Sequence, residues 1–528
     1  MSAAHPYDPN VLIEYGARRI IITITVIMCT LLEIIDTTIV NVATNTLMGN
    51  LGATIGEISW VIAAYAIANV IVVPMSGWLS TQFGRKNYFA ASIALFTFAS
   101  FMCGHSGNIW ELVAWRFVQG VGGGALLATS QSILVEIYPR EKMGMASAMF
   151  GMGVILGPTL GPVLGGYLID HFNWPIIFYV NVPIGITAFL LTLQFIRNNP
   201  HQVKSSARVD WLGMFLLIAG IGSLQFVLEK GERADWYESW YITFFTIVAV
   251  LGIICFIWRE LTIKNPIVDL HVFTRGNVAI GVTMSFILGF ALFGTVFVFP
   301  MFVQRFLGFT ATQSGAMFVP GALLTGFCMP FIGRLLQKGA PPKILIALGF
   351  SVTAAFVWWS SFLLSPVTGA GDFFWPLLIR GLGMGLLFVP LTNLTLGGLH
   401  GRDIPQAAGL SSMIRQIGGS ISVALVGVFT ERRTAQHRTD LLSNVNVYNP
   451  NLTERLNMYT GNFQRFGTDA AHATQQAYTV LDLAVTKQAM IITYIDVFRY
   501  MGIFVALCVP MIVFARTYKG KVAAGAAH

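Results

Sequence analysis

The amino-acid sequence predicts an all-α integral membrane protein, and three observations carry that prediction. Apolar runs of about twenty residues, the length of helix that crosses a bilayer, recur along the whole chain. Of the 528 residues, 55% are hydrophobic and 11% charged, with a mean hydropathy of +0.68. A soluble protein carries about a quarter charged residues. Finally, the basic residues collect in alternate short loops between the runs, the asymmetry that orients a membrane protein.

Taken in order, the runs place spans near 20–47, 57–80, 88–106, 109–136, 144–169 and 175–197, then near 211–229 and 240–258. A further set lies near 277–303, 314–336, 344–364, 374–399, 407–430 and 490–515, which makes fourteen. An even number puts both termini on one side. With that side cytoplasmic, the short inner segments hold Arg18, Arg19, Arg85, Lys86, Arg140, Lys142, Arg197, Lys204, Arg208, Arg259, Lys264, Arg275, Arg334, Lys338, Lys343, Arg402, Arg516, Lys519 and Lys521. The short outer loops hold Lys230, Arg233 and Arg305. A polar stretch and Arg18-Arg19 precede the first run, which is too long and too acidic for a cleaved leader and predicts a retained helix.

The segment 431–489 then lies outside, rich in Asn, Gln and Thr. Helix-permitting stretches at Thr453–Tyr459 and Asp469–Thr486 predict a solvated helical hairpin or a docking surface for a periplasmic partner.

Several classes are disfavoured. The formal charge of +8 is spread through the loops, with no basic stripe interleaved with aromatics, so no nucleic-acid partner is predicted. The five cysteines are scattered singly and the histidines lie in loops, at helix edges or at the termini, so neither a disulfide framework nor a metal site is expected. No nucleophile–base set stands out, and the chain is read as neither an enzyme nor a cofactor protein. A membrane sensor remains an alternative.

The polar residues inside the runs carry the functional reading. Glu33, Asp36, Thr37 and Asn41 are expected to form a polar stripe on one face of the first span. A carboxylate at bilayer depth costs roughly 2.5–3.5 kcal/mol on insertion scales, so such groups mark ion and proton paths. Asp36 is the first candidate for proton coupling, with a structural cap or ion pair as the alternative; Glu33, close enough that the two acids do not easily both ionise, is counted with it, and by itself is either a substrate contact or a packing residue. On the fourth span Arg116, Gln119 and Gly120 share a face, and Arg116 needs a carboxylate, carbonyls or a water-filled cavity. The cluster Gly120 to Gly124 lacks the Lys-Ser/Thr of a phosphate loop and reads as helix packing. Gly153, Gly157, Gly161 and Gly165 recur every four residues on the fifth span beside Pro158 and Pro162, a smooth ridge on a helix that seals or flexes. A faint repeat relates Gly77–Lys86 to Gly333–Lys338 and Arg116 to Arg380, and repeated halves put a substrate site at midplane between them.

These residues bring a family into view. The chain resembles the major facilitator superfamily, in particular the fourteen-span drug:proton antiporters of the EmrB/QacA type, along nearly its whole length. Asp36 to Ala43 is similar to the first-helix motif, Gly77 to Lys86 (with Gly84 and Arg85) to the cytoplasmic loop motif, Arg116 to Gly120 to the span-four motif and Gly153 to Gly166 to the antiporter motif. Asn181 to Gly185 and Asn265 to Leu270 add family-like wording. The resemblance implies two six-helix bundles, residues 1–199 and 271–528, with two linker helices in 200–270, rocking about a central cavity. It implies proton-driven multidrug efflux with no cofactor, Asp36 as the proton site and Arg116 as its modulator. Amphiphilic or hydrophobic substrates would meet Thr37, Asn41, Gln119, Arg380 and Arg415. A bacterial inner-membrane location follows, with a periplasmic membrane-fusion adaptor and an outer-membrane channel as partners and segment 431–489 as a contact region. A dedicated exporter of one metabolite, siderophore or fatty acid is the alternative in the same fold. The chain departs from the family pattern at Thr81, where the loop motif has aspartate, and at Glu33. Arg380 and Arg415 are extra intramembrane cations that admit anionic substrates or pair internally, and Asp496 and Arg499 are expected to pair at the outer interface.

Overall fold

A computed structural model describes residues 12–139, 142–198, 209–275, 277–399, 401, 403–443, 445–446 and 448–514. Arg140, Lys204, Arg208, Arg402, Arg516, Lys519 and Lys521, counted in the charge asymmetry, lie outside the described residues. The chain folds into α1 (Gly16–Leu51), α2 (Ile55–Phe83), α3 (Arg85–His105), α4 (Ile109–Ile137), α5 (Met143–His171), α6 (Ile176–Tyr179), α7 (Asn181–Phe195), α8 (Trp211–Lys230) and α9 (Trp240–Thr262). The second part holds α10 (Val278–Leu307), α11 (Ala311–Ala316), α12 (Val319–Gln337), α13 (Pro342–Leu363), α14 (Phe374–Leu396), α15 (Asp403–Leu442), α16 (Pro450–Arg465) and α17 (Ala470–Cys508).

Thirteen helical segments among the described residues are long and apolar enough to cross a membrane. The remaining predicted span is α4, 29 residues long but less apolar, because Glu111, Arg116, Gln119 and Gln131 interrupt it. Its buried polar face is the reason it reads poorly by hydropathy. Turn chemistry marks the helix starts. Thr54 and Glu57 close a capping box on α2, Thr310 and Gln313 another on α11, and Asn108 accepts from the Glu111 amide at the head of α4.

Small residues let the helices approach. The four-residue glycine ridge of α5 lies along α1: a side chain at Gly153 would meet Thr30, at Gly157 Ile34, at Gly161 Thr38 and at Gly165 Ile39. The cluster on α4 is packing too, with Gly120 and Gly124 against the backbone of Tyr65 and Asn69 on α2 and Gly122 against Phe96 on α3. The opposite side of α5 faces the second half of the chain. A Cβ on Gly144 would sit 2.6 Å from the Gly333 carbonyl, and one on Gly333 would sit 2.6 Å from that of Gly144. Gly77 of α2 meets Pro405 and Gln406 of α15 in the same manner, at 3.1 Å. The two stretches related by the faint repeat therefore occupy matching seams between the halves.

Helices α8 and α9 pack on each other through Gly220 and Gly252. Gln225 of α8 donates to Ser420 of α15 at 2.8 Å, and Lys230 at its end donates to Ser59 of α2, so α8 touches both halves. Phe215, Leu251, Trp258, Phe327 and Phe331 stand exposed on the outside of the bundle, as lipid-facing side chains do.

The segment 431–489 differs from an independent hairpin. α15 continues unbroken to Leu442 and α17 starts at Ala470, so two spans run on as helix beyond the apolar core. At 40 residues α15 is about 60 Å long, twice the hydrocarbon thickness. The two extensions are tied by Arg438 to Asp482 at 2.6 Å and by Thr434 to Thr493 at 3.2 Å. Asp469 caps α17 by accepting from the Ala471 and His472 amides. The expected Asp496–Arg499 pair does not form: Asp496 bonds His437 at 2.8 Å, and the Arg499 guanidinium lies 5.8 Å from the centre of the Phe362 ring. Three residues apart on one helix, the two side chains find better partners on neighbouring helices.

Candidate functional site

Asp36 projects from α1 toward α4 and α7 and is fully buried. Arg116 Nη1 donates to its Oδ2 at 2.5 Å, while Gln119 and Asn181 each donate to Oδ1 at 2.8 Å. The guanidinium is itself held by the Val61 carbonyl (3.2 Å), by Gln119 Oε1 (2.8 Å) and by the Tyr65 ring, whose centre lies 4.2 Å away. The spacing of Arg116 and Gln119 puts both on one turn of α4, so the same helix delivers the cation and an amide that touches both charges. Each carboxylate oxygen of Asp36 thus has at least one donor in the cage. Removing either charge leaves the other without its counter-ion in the membrane interior.

The two carboxylates of α1 do not share a site. About 60° of helix rotation separates positions three apart, and that sends Glu33 toward α2. It accepts from Asn69 at 3.0 Å, and Asn69 accepts in turn from Gln416 of α15 at 2.9 Å. Glu33 thus begins a hydrogen-bonded line that crosses from one half of the chain to the other. Arg415 is within electrostatic reach of it, donates to Ser412 at 3.2 Å and stacks 5.3 Å from the Phe388 ring centre. Ser412 reaches Gln131 of α4 at 3.4 Å, a second polar link across the halves.

The other predicted site residues divide. Thr37 donates back to the Ile34 carbonyl of its own helix, and Asn41 is exposed, so neither joins the polar cluster. Gln119 belongs to the Asp36 cage. Arg380 of α14 is buried and donates through Nε to Thr295 of α10 at 3.2 Å. At the base of α2, Thr81 donates to the Gly77 and Trp78 carbonyls, and Arg85 pairs with Glu136 at the end of α4. Gly84 turns the chain with φ +85°, and the Lys86 amide beside it donates to Asn198 at 2.9 Å. Asn69, Gln416, Tyr65 and the role of Asn181 were not foreseen. The available signal was the same for each, a polar or hydroxyl-bearing side chain inside or at the edge of an apolar run.

The Major Facilitator Superfamily model matches residues 26–423. The multidrug export protein EmrB of Escherichia coli K12 is 35% identical over 493 residues, covering 93% of this chain and 94% of that protein. The fatty acid resistance protein FarB of Neisseria gonorrhoeae is 32% identical over 510 residues, covering 95% and 97%. Among solved structures, the proton:xylose symporter XylE superposes with a TM-score of 0.61 over 96% of this chain and 97% of its own, at 15% identity, a likeness of fold. By the extent of the family match and of the alignment with EmrB, this multi-pass membrane protein belongs to the major facilitator superfamily.

Proposed function

We propose that the chain is a multidrug efflux transporter that exports amphiphilic or hydrophobic compounds by drug:proton antiport. The observation that carries this reading is the buried Asp36–Arg116 pair with its two amide donors. A proton arriving on Asp36 cancels the charge that Arg116 neutralises, and the guanidinium then keeps Gln119 and Val61 as partners. Re-forming the pair expels the proton. A substrate that favours one of these two arrangements exchanges for the proton without touching it.

The glycine seams supply the motion. Helices α2 and α5 meet α15 and α12 through backbone-level contacts at Gly77 and at Gly144–Gly333, which can part and re-close as rigid surfaces. Glu33, tied to α15 through Asn69 and Gln416, registers that closure and is a second proton-coupling candidate. The proton gradient is the energy source, with no cofactor required; each charge crossing the potential is worth about 2.3 kcal/mol per 100 mV. The relatives named for multidrug export support a broad substrate range. FarB, named for fatty acid resistance, supports a narrower second reading in which one lipid-like class is the substrate.

The basic ends of the helices support a cytoplasmic side that holds both termini. The Arg18 guanidinium at the start of α1 bonds the Phe195 carbonyl at the end of α7, and Arg85 bonds Glu136, so these four helix ends share one face. A bacterial inner membrane is the proposed location. The helical extensions of α15 and α17 with α16 are the proposed contact for a periplasmic adaptor, itself joined to an outer-membrane channel.

The test is proton-gradient-driven uptake of ethidium into inside-out vesicles, with wild type beside Asp36→Asn at matched protein levels. Uptake that depends on the gradient and is lost in the variant supports antiport. Uptake that survives both the substitution and an uncoupler refutes it.

A further inference from the structure

The two halves place an arginine at matching positions but do not treat it alike. Arg116 on the fourth helix of the first half faces Asp36 of α1. Arg380, its repeat on α14, faces α10, the counterpart of α1, and finds Thr295 there. Arg380 is 3% exposed, and among the described residues no carboxylate lies within ion-pair distance of it. The Phe318 ring centre also lies 4.9 Å from the guanidinium carbon. Arg415 differs in its partners: it donates to Ser412 at 3.2 Å, stacks on the Phe388 ring and lies within electrostatic reach of Glu33. An isolated cation in a membrane interior is costly, and a chain keeps one where an anion comes to meet it.

The surroundings say what kind of anion. Arg380, Met384 and Phe388 stand four residues apart and form one row on α14. Phe388 lies at the seam, against Phe150 of α5 at 5.8 Å between ring centres. From Arg380 to Phe388 the row rises about 12 Å along the helix axis. Met384 and Phe388 are fully buried while the seam is closed, and when it parts the row offers a charged end followed by a soft apolar wall, as a polarizable Met and an aromatic ring provide.

We infer that Arg380 is the head-group site for anionic amphiphiles, with the acidic head paired to the guanidinium and the apolar tail laid along Met384 and Phe388. This rests on the efflux reading and names one substrate class that the broad range includes and this site takes. Thr295, standing where the first half has its carboxylate, is what leaves the charge available.

The probes are radiolabelled decanesulfonate and decyltrimethylammonium, equal in chain length, opposite in charge and ionised at every working pH. Binding is measured on the full chain in nanodiscs. Arg380→Gln is expected to weaken decanesulfonate at least tenfold and to leave decyltrimethylammonium within twofold, with Arg380→Lys recovering part of the loss. Thr295→Asp, which installs the missing counter-ion, is expected to abolish decanesulfonate binding while the cation still binds. Equal loss of both probes in Arg380→Gln, or undiminished decanesulfonate binding in Thr295→Asp, overturns the assignment. Competition by methanesulfonate or chloride as strong as by unlabelled decanesulfonate also overturns it, since that marks a site for small anions. In proteoliposomes, gradient-driven movement of the cation alone refutes the anion site and spares the efflux reading; movement of neither refutes both.

Discussion

Asp36→Asn deletes the carboxylate that faces Arg116 and leaves the guanidinium buried with Gln119 and the Val61 carbonyl. Removing one partner of a buried ion pair costs about 3–5 kcal/mol, because the survivor's desolvation is no longer offset. Arg116→Gln strands the carboxylate and is expected to cost a similar amount, although Gln119 and Asn181 still donate to it. The double variant removes both charges and leaves neutral groups that can bond one another. Its loss should fall short of the sum of the single losses by about 3 kcal/mol, the upper end for residues in contact. The assay is reversible unfolding of the purified protein in mixed micelles, followed by helical circular dichroism, for all four members of the cycle. Additivity within about 0.5 kcal/mol would refute the argument that the two charges depend on each other.

Three further outcomes follow from the packing and the polar links. Gly144→Val forces a side chain into the Gly333 carbonyl and should hold these helix ends apart, so a cysteine introduced by Ala146→Cys reacts several-fold faster with a membrane-impermeant maleimide; unchanged labelling would count against that seam as the closing contact. Gln416→Ala should cost about 1–2 kcal/mol by leaving the Asn69 carbonyl oxygen unbonded, and Asn69→Ala should cost more because Glu33 loses its donor; the reverse order in mixed-micelle unfolding would contradict the line from Glu33 to α15. At Asp469 the His472 amide and then its ring hold the carboxyl below the usual carboxylate range. The cap is therefore present above the ordinary carboxylate pKa and lost as pH falls through the lowered one, and the hydrogen-exchange protection of Ala471–Ala473, taken relative to the intrinsic rate at each pH, should fall in acid and in Asp469→Ala alike.

How much of this was legible in the sequence depends on the interaction involved. Span positions followed from apolar runs because lipid demands them, and α4 was placed by its run even though its buried polar face lowers its hydropathy. Asp36 and Arg116 stood out because charged side chains are rare at such depth, but their partnership is a contact between α1 and α4 that no local pattern encodes. Counting Glu33, Asp36, Thr37 and Asn41 as one stripe overlooked the helical turn that parts the two acids and leaves Asn41 exposed. The glycine ridge of α5 was visible through its four-residue period. Gly144 was not, since a lone glycine becomes informative when Gly333 arrives opposite it.

The central claim is that substrate binding and the proton on Asp36 exclude each other. The direct measurement is proton release on adding ethidium to the purified protein in weakly buffered detergent solution. The account predicts that the wild type releases protons in proportion to drug bound and that Asp36→Asn binds drug while releasing none. Equal release from the variant would place the exchanged proton elsewhere and contradict the account.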